Sequence, residues 1–253
     1  MANVQDTAMA IARVRAEERA LPEAERLFED PYAALFADAP EEDAVGDRML
    51  AIPFLRESVR LRTRVIDDVV RDGLAAGLRQ LVILGVGFDC RALRLAEVEV
   101  TGARVFEVDF PAQLATKQSI LADAGVRPPS WVQAIPCDFT VADFETTLMR
   151  DVAACGFRRG AGAVFTWEGV VGYLDDAVVD RTLALVTGLG GKGSRFVFNY
   201  SINRFIPADL ADRLHGAGFS AVRDESLGVA YRRLVGREAP PEAELFRIVV
   251  ATV

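Results

Sequence analysis

Two short stretches carry residues whose types and spacing could do chemistry. The apolar run Gln80–Leu84 ends in Gly85-Val86-Gly87-Phe88-Asp89, and Val105-Phe106-Glu107-Val108-Asp109 follows after one helix-sized interval. Glycines at the end of a strand let the backbone approach a ligand with no Cβ in the way. A carboxylate at the end of the next strand, here Asp109 before Phe110, can accept both hydroxyls of a ribose. A third acid, Asp138, follows a third apolar run and stands beside Phe139, a pairing suited to the edge and face of an adenine ring. Strand, glycines, helix, strand and acid come in the order that an adenosine-containing ligand requires.

A dinucleotide site would carry a third glycine at position 90, where this chain has Cys90, and Asp89 stands where a pyrophosphate would approach. Both points favour an adenosine ligand without phosphates, such as S-adenosylmethionine, over NAD. An NAD-dependent oxidoreductase and a non-catalytic cofactor-binding protein remain the alternatives of another class. Arg60, Arg62 and Arg64 lie on a long helical stretch, Glu57–Leu74. They read either as a solvated ladder paired with Asp67 and Asp68 or as a source of a bidentate cation for a ligand carboxylate. Thr166-Trp167-Glu168-Gly169 ends a fourth apolar run. Glu168 there is either a surface cap or a carboxylate facing a bound cation. The single histidine, His215, sits before Gly216 near a helix end, where it complements the helix dipole more readily than it serves as a catalyst.

The elements that must hold these residues follow from periodicity. Short apolar runs at Gln80–Leu84, Ala103–Val108, Trp131–Ile135, Ala161–Thr166 and Ser194–Tyr200 alternate with helical stretches at Cys90–Ala96, Ala112–Ala124, Val141–Ala154 and Asp175–Leu189. That alternation predicts a parallel sheet covered on both faces. Pro207–Gly216 reads as a further helix. Ala221–Ser226 and Leu245–Val253 read as two last strands, joined by a loop containing Pro240 and Pro241. The first 75 residues read as helical, with Ala8–Ala20 rich in helix formers and Pro22, Pro31, Pro40 and Pro53 as punctuation. The expectation is one domain over 1–253: a helical cap or lid over 1–75, then an α/β core over 76–253.

Composition narrows the classes. The chain has 253 residues, 51% of them hydrophobic, and a net charge of −8 from 29 basic and 37 acidic residues. An acidic balance argues against nucleic acid as a partner. No apolar run approaches the ~20 residues that span a bilayer, and the first residues lack the basic start and apolar stretch of a signal peptide. Three scattered cysteines, Cys90, Cys137 and Cys155, suggest a reducing cytoplasm rather than a disulfide framework. One histidine and no CxxC leave almost no material for a zinc site, and no metal is expected.

At these residues the chain resembles the leucine carboxyl methyltransferase-like family of S-adenosylmethionine-dependent enzymes, which includes bacterial O-methyltransferases of secondary metabolism. The resemblance runs through TAMAIARVRAEE, LFEDPYAALF, RLRTRVIDD, QLVILGVGFDCRALRL, VFEVDFPAQLATKQSIL, CDF and FTWEGVVGYL, from residue 7 to 174. It implies a Rossmann-like class I methyltransferase fold: a seven-stranded, mostly parallel sheet with an antiparallel C-terminal strand. It also implies roles. Arg64, or next Arg62, would bind the methionine carboxylate, and Gly85 and Gly87, with Phe88 and Asp89 beside them, would line the methionine and ribose. Asp109 would hold the ribose, with Phe110 adjoining. Asp138 and Phe139 would meet the adenine, Glu168 the methionine amino group, and Tyr173 the acceptor side. Val86 and Cys90 depart from the family's usual alanine and threonine. The compact C-terminal half favours a small-molecule acceptor over a large protein, for a monomer or a homodimer.

Methyl transfer asks for alignment and exclusion of water. A carboxylate acceptor is already ionised at neutral pH, whereas a phenol, with a reference pKa near 10, wants a base. With Tyr173 and His215 as the weak catalytic candidates, a carboxylate acceptor is the expectation and a phenol or other hydroxyl the alternative.

Overall fold

The computed structural model describes residues 4–37 and 44–253. Pro40, one of the expected punctuating prolines, lies outside them. At the centre is a seven-stranded sheet: β1 (Gln80–Leu84), β2 (Arg104–Asp109), β3 (Val132–Pro136), β4 (Val164–Trp167), β5 (Arg195–Ser201), β6 (Ala221–Ser226) and β7 (Phe246–Thr252). The order is β3-β2-β1-β4-β5-β7-β6. β1 to β5 are parallel, and β7 runs antiparallel between β5 and β6. All five residues of β1 are buried, as expected of a strand covered on both faces. This is the class I methyltransferase-like topology expected from the sequence.

Alternation along the strands builds two cores. Phe106, Val108, Phe165, Trp167, Phe196 and Phe198 turn to one face, where they meet α7 (Phe144–Ala154), α8 (Asp176–Leu189) and α9 (Pro207–Gly216). Val105, Val164 and Val197 turn to the other face. They meet α3 (Leu55–Ala75), α5 (Ala96–Thr101) and α10 (Leu227–Val235). Each fully buried side chain of this kind contributes roughly 1.5–3 kcal/mol. α3, grouped with the cap in the sequence reading, is therefore a layer on the sheet. Its residues Leu61, Val65, Ile66, Val69 and Leu74 recur at helical spacing and pack on β4, β5 and β7. Among the described residues, the remaining N-terminal elements are α1 (Val4–Glu17), α2 (Ala44–Leu50) and three short 3-10 turns.

Two elements differ from expectation. The helix expected over Cys90–Ala96 is broken into α4 (Arg91–Arg94) and α5 because Leu95 is extended, with φ −88° and ψ 103°. The expected loop between β6 and β7 contains α10. Its Leu227, Ala230, Tyr231 and Leu234 share a face on the sheet, and Gly236 at φ 74° ends it. α6 (Pro111–Asp123) starts at the proline after Phe110, where a missing N–H costs nothing. No helix among the described residues is long and apolar enough to cross a membrane.

Candidate cofactor-binding site

The strand order reverses between β1 and β4, and the carboxyl ends there form the crevice in which open α/β sheets hold ligands. Gly85 and Gly87 turn the chain out of β1 with φ +66° and +49°, conformations that a side chain would strain. The N–H groups of Gly85 and Val86 both donate to the Val108 carbonyl, at 2.8 and 3.0 Å. Gly87 N–H donates to one Asp109 carboxylate oxygen and Phe110 N–H to the other, each at 2.7 Å. Asp109 thus clips the glycine turn to the end of β2. Each of its oxygens keeps a second lone pair for a ligand hydroxyl. Burial lifts the Asp109 carboxyl above its usual range, although Gly87, Phe110 and Lys117 work against the shift. A Cβ at Gly85 would fall 2.3 Å from a Val170 methyl, and one at Gly87 would lie 3.7 Å from Ala8. The turn therefore lies beneath the segment after β4 and beneath α1.

A buried lattice of alternating charges surrounds it. Arg62 Nε donates to Glu168 at 2.9 Å, and Arg91 donates to the second Glu168 oxygen at 2.7 Å. Arg91, with no exposed surface, also binds Asp67 at 2.7 Å, Asp89, and the Thr63 carbonyl. Arg94 binds both oxygens of Asp67 and approaches Asp30, which faces Arg15 of α1. Arg15 in turn donates to the Phe88 carbonyl at 2.8 Å. Burial alone would raise the Asp89 carboxyl, but Arg91, Arg15 and Arg94 pull it down to about 2. Glu168 is also held below its usual range: burial opposes this, and Arg91 and Arg62 outweigh it. Glu168 uses only the Nε of Arg62, so the two terminal nitrogens remain for another anion, and one of them faces Gly169.

Gly85, Gly87, Asp109, Arg62 and Glu168 thus converge on one set of strand ends. Asp138 joins them at the end of β3, where one carboxylate oxygen is engaged by the Thr140 N–H and hydroxyl. Other candidates are placed differently. Arg64 is turned away from the strand ends: its guanidinium pairs with Asp68 at 2.9 Å and reaches the Leu27 carbonyl, so Arg62 takes the inward position. Asp89 is spent on Arg91. The Phe88 ring stacks on Phe36 with centroids 4.6 Å apart, and the Phe139 ring packs edge-on against Phe144; both rings belong to cores rather than to a ligand face. Phe110 is half-buried at the start of α6. Tyr173 stands half exposed just after β4. His215 lies at the end of α9, which leads into β6, so it sits at the opposite, amino end of the sheet. Its Nδ1 is 3.0 Å from the Phe219 carbonyl. It caps a turn and is remote from any chemistry at the strand ends.

Arg91, Arg94 and Lys117 were not singled out from sequence. The signal for the first two was their three-residue spacing after Asp89. Lys117 of α6 is buried, donates to the Asp89 carbonyl, and pairs with Glu107 at 2.9 Å. Glu107 lies on the same face of β2 as Asp109, so the lysine braces the glycine turn from below. Burial pushes the Cys90 and Cys137 thiols up to about 12, which makes them packing groups rather than nucleophiles.

The residues present fit S-adenosylmethionine. Two positive-φ glycines form the turn at the end of β1, a buried carboxylate with spare lone pairs stands at the ribose position, and a guanidinium and a carboxylate stand side by side for an amino acid's two charges.

The sequence pattern of the leucine carboxyl methyltransferase family matches residues 7–187. A Streptomyces coelicolor protein, named provisionally as an S-adenosyl-L-methionine-dependent methyltransferase, is 36% identical over 75% of this chain and 66% of its own length. A Streptomyces avermitilis protein with the same provisional description is 34% identical over 85% of this chain and 75% of its own. The chain thus spans about two thirds to three quarters of the length of these relatives. Among solved structures, one from Thermobifida fusca, provisionally described as a methyltransferase, is similar over 95% of this chain and 93% of its own. Its TM-score is 0.62 and its identity 20%, a likeness of fold.

Proposed function

This chain belongs to the leucine carboxyl methyltransferase family, and from that premise we propose that it transfers a methyl group from S-adenosylmethionine to an oxygen of a small-molecule acceptor, most simply a carboxylate. The observation that carries the reading is the side-by-side placement of Arg62 and Glu168 across the glycine turn from Asp109. Arg62 offers its two free nitrogens to the methionine carboxylate, a bidentate geometry suited to guanidinium. Glu168 faces the amino group. Gly85 and Gly87 admit the chain of the ligand, Asp109 accepts the ribose hydroxyls, and Asp138 meets the adenine edge. When bound, S-adenosylmethionine supplies an electrophilic methyl on a cationic sulfur; the C–O bond forms as the S–C electron pair goes to sulfur.

The protein's part is to bind, orient and keep water out. Val170 and α1 overlie the glycine turn and would shield the bound donor. A carboxylate acceptor needs no proton removed. The only histidine is at the far end of the sheet and both buried thiols are held neutral, which supports an acceptor already ionised at neutral pH. The test is transfer of labelled methyl to panels of carboxylic acids and phenols, followed by mild alkali. A carboxyl methyl ester releases volatile labelled methanol; a phenol ether does not. Label that stays with the acceptor after alkali would replace the carboxylate by a hydroxyl.

A further inference from the structure

Apolar side chains on the surface are distributed unevenly between the two ends of the sheet. Eight large apolar residues among the described ones are strongly exposed, and only Val100, at the end of α5 before β2, lies at the amino end. Four of the others form a connected group. Tyr173 (51% exposed) follows β4, Ile202 (37%) and Ile206 (64%) follow β5, and Leu245 (38%) immediately precedes the antiparallel β7. Backbone and side-chain bonds join their segments: Ile202 N–H donates to the Leu245 carbonyl at 3.0 Å, and Arg204 donates to the Leu174 carbonyl at 2.8 Å. Ile52, Val141 and Val229 stand on segments that enter or leave the same end, before α3, after β3 and at the start of α10.

Position in the sheet says what this group is for. The donor cradle occupies the ends of β3, β2, β1 and the inner side of β4. The connected apolar group occupies the ends of β4, β5 and β7, the next positions in the strand order. Singly scattered apolar residues need no explanation, but four on hydrogen-bonded segments at one edge of a ligand site do. The arginines of these segments are engaged elsewhere: Arg204 on Val171, Leu174 and Asp176, and Arg213 on Asp176 and Asp180.

We propose that the acceptor is a molecule with an extended apolar body, an alkyl or aryl acid rather than a short polar acid, and that Tyr173, Ile202, Ile206 and Leu245 receive that body. This rests on the methyl-transfer reading above. Each methylene buried on the patch should tighten binding about fourfold.

The test uses the full chain saturated with S-adenosylhomocysteine, whose own binding is measured first. Straight-chain carboxylates from four to twelve carbons are then titrated calorimetrically. The expected result is a dissociation constant falling about fourfold per methylene until the patch is filled. In the double variant Ile202→Glu/Ile206→Glu that dependence should collapse while S-adenosylhomocysteine affinity stays within about twofold. A flat chain-length series, or a slope that survives in the variant, with S-adenosylhomocysteine still bound, overturns the apolar acceptor and leaves the methyl-transfer reading standing. A concentration-dependent dimer in ultracentrifugation that the variant abolishes, together with a flat series, would make the patch a contact between copies of this chain. Failure of S-adenosylhomocysteine to bind would overturn both readings.

Discussion

Arg62 and Arg64 stand two residues apart on α3, which sends them to different sides of the helix. Arg62 is buried and pairs with Glu168, while Arg64 lies against Asp68 at the surface. Replacing Arg62 with methionine is expected to weaken S-adenosylhomocysteine binding ten- to a hundredfold, the scale of one or two charge-assisted hydrogen bonds. Arg64→Met should leave that affinity within about twofold and cost at most ~1 kcal/mol of stability, since exposed ion pairs contribute little. Calorimetric titration of both variants, with urea unfolding, checks the pair. The family resemblance ranks Arg64 ahead of Arg62, and the structure turns Arg64 to Asp68 instead; the sequence alone could not show this, because Glu168, the partner that decides, is 106 residues away from Arg62. The Asp89 carboxyl makes a pH prediction. Its folded value of about 2 lies below the unfolded value near 3.9. The stability it contributes is therefore complete above about pH 4 and is lost as pH falls toward 2. The amount is about 2–3 kcal/mol. Urea unfolding between pH 5 and 2 should show a shallower decline in Asp89→Asn than in the parent; equal slopes would place the acid sensitivity elsewhere.

At the scale of elements, α6 is tied to the glycine turn by one side chain. Lys117 holds Glu107 of β2 and the carbonyl of Asp89. Lys117→Met should destabilise the protein by roughly 3–5 kcal/mol, because it leaves a buried carboxylate unpaired. Adding Glu107→Leu should recover a substantial part of that loss. A double-mutant cycle in urea measures it, and additive losses would show that the two residues do not act as a pair. Most elements were legible: five parallel strands, the two C-terminal strands and their intervening helices were readable from alternation and from turn residues. The break at Leu95 was not, since a single extended residue inside a helical pattern leaves no mark on periodicity. α10 left a readable mark in Leu227, Ala230, Tyr231 and Leu234, which the prolines at 240 and 241 obscured. His215 was visible only as the sole histidine, and the direction of α9 places it away from the strand ends.

At the scale of the molecule, the carboxyl ends of the sheet divide, on the proposal above, between a charged donor half and an apolar acceptor half. The buried lattice from Arg15 through Asp30, Arg94, Asp67 and Arg91 to Glu168 and Arg62 fastens α1 and α3 to the ends of β1 and β4. The pairings of this lattice could not be read from sequence, even where Arg62, Asp67 and Glu168 stood out singly; only the fold brings its members within reach of one another. The glycine turn and the acids at the ends of β2 and β3 were legible because that geometry is local. The central claim is that these strand ends bind S-adenosylmethionine through Asp109. Calorimetric titration of S-adenosylhomocysteine and of NAD into the parent chain and into Asp109→Ala tests it most directly. The expected result is clear heat with S-adenosylhomocysteine, none with NAD, and on the order of a hundredfold weaker S-adenosylhomocysteine binding in the variant. Undiminished affinity in Asp109→Ala, or binding of NAD by the parent, would contradict the account.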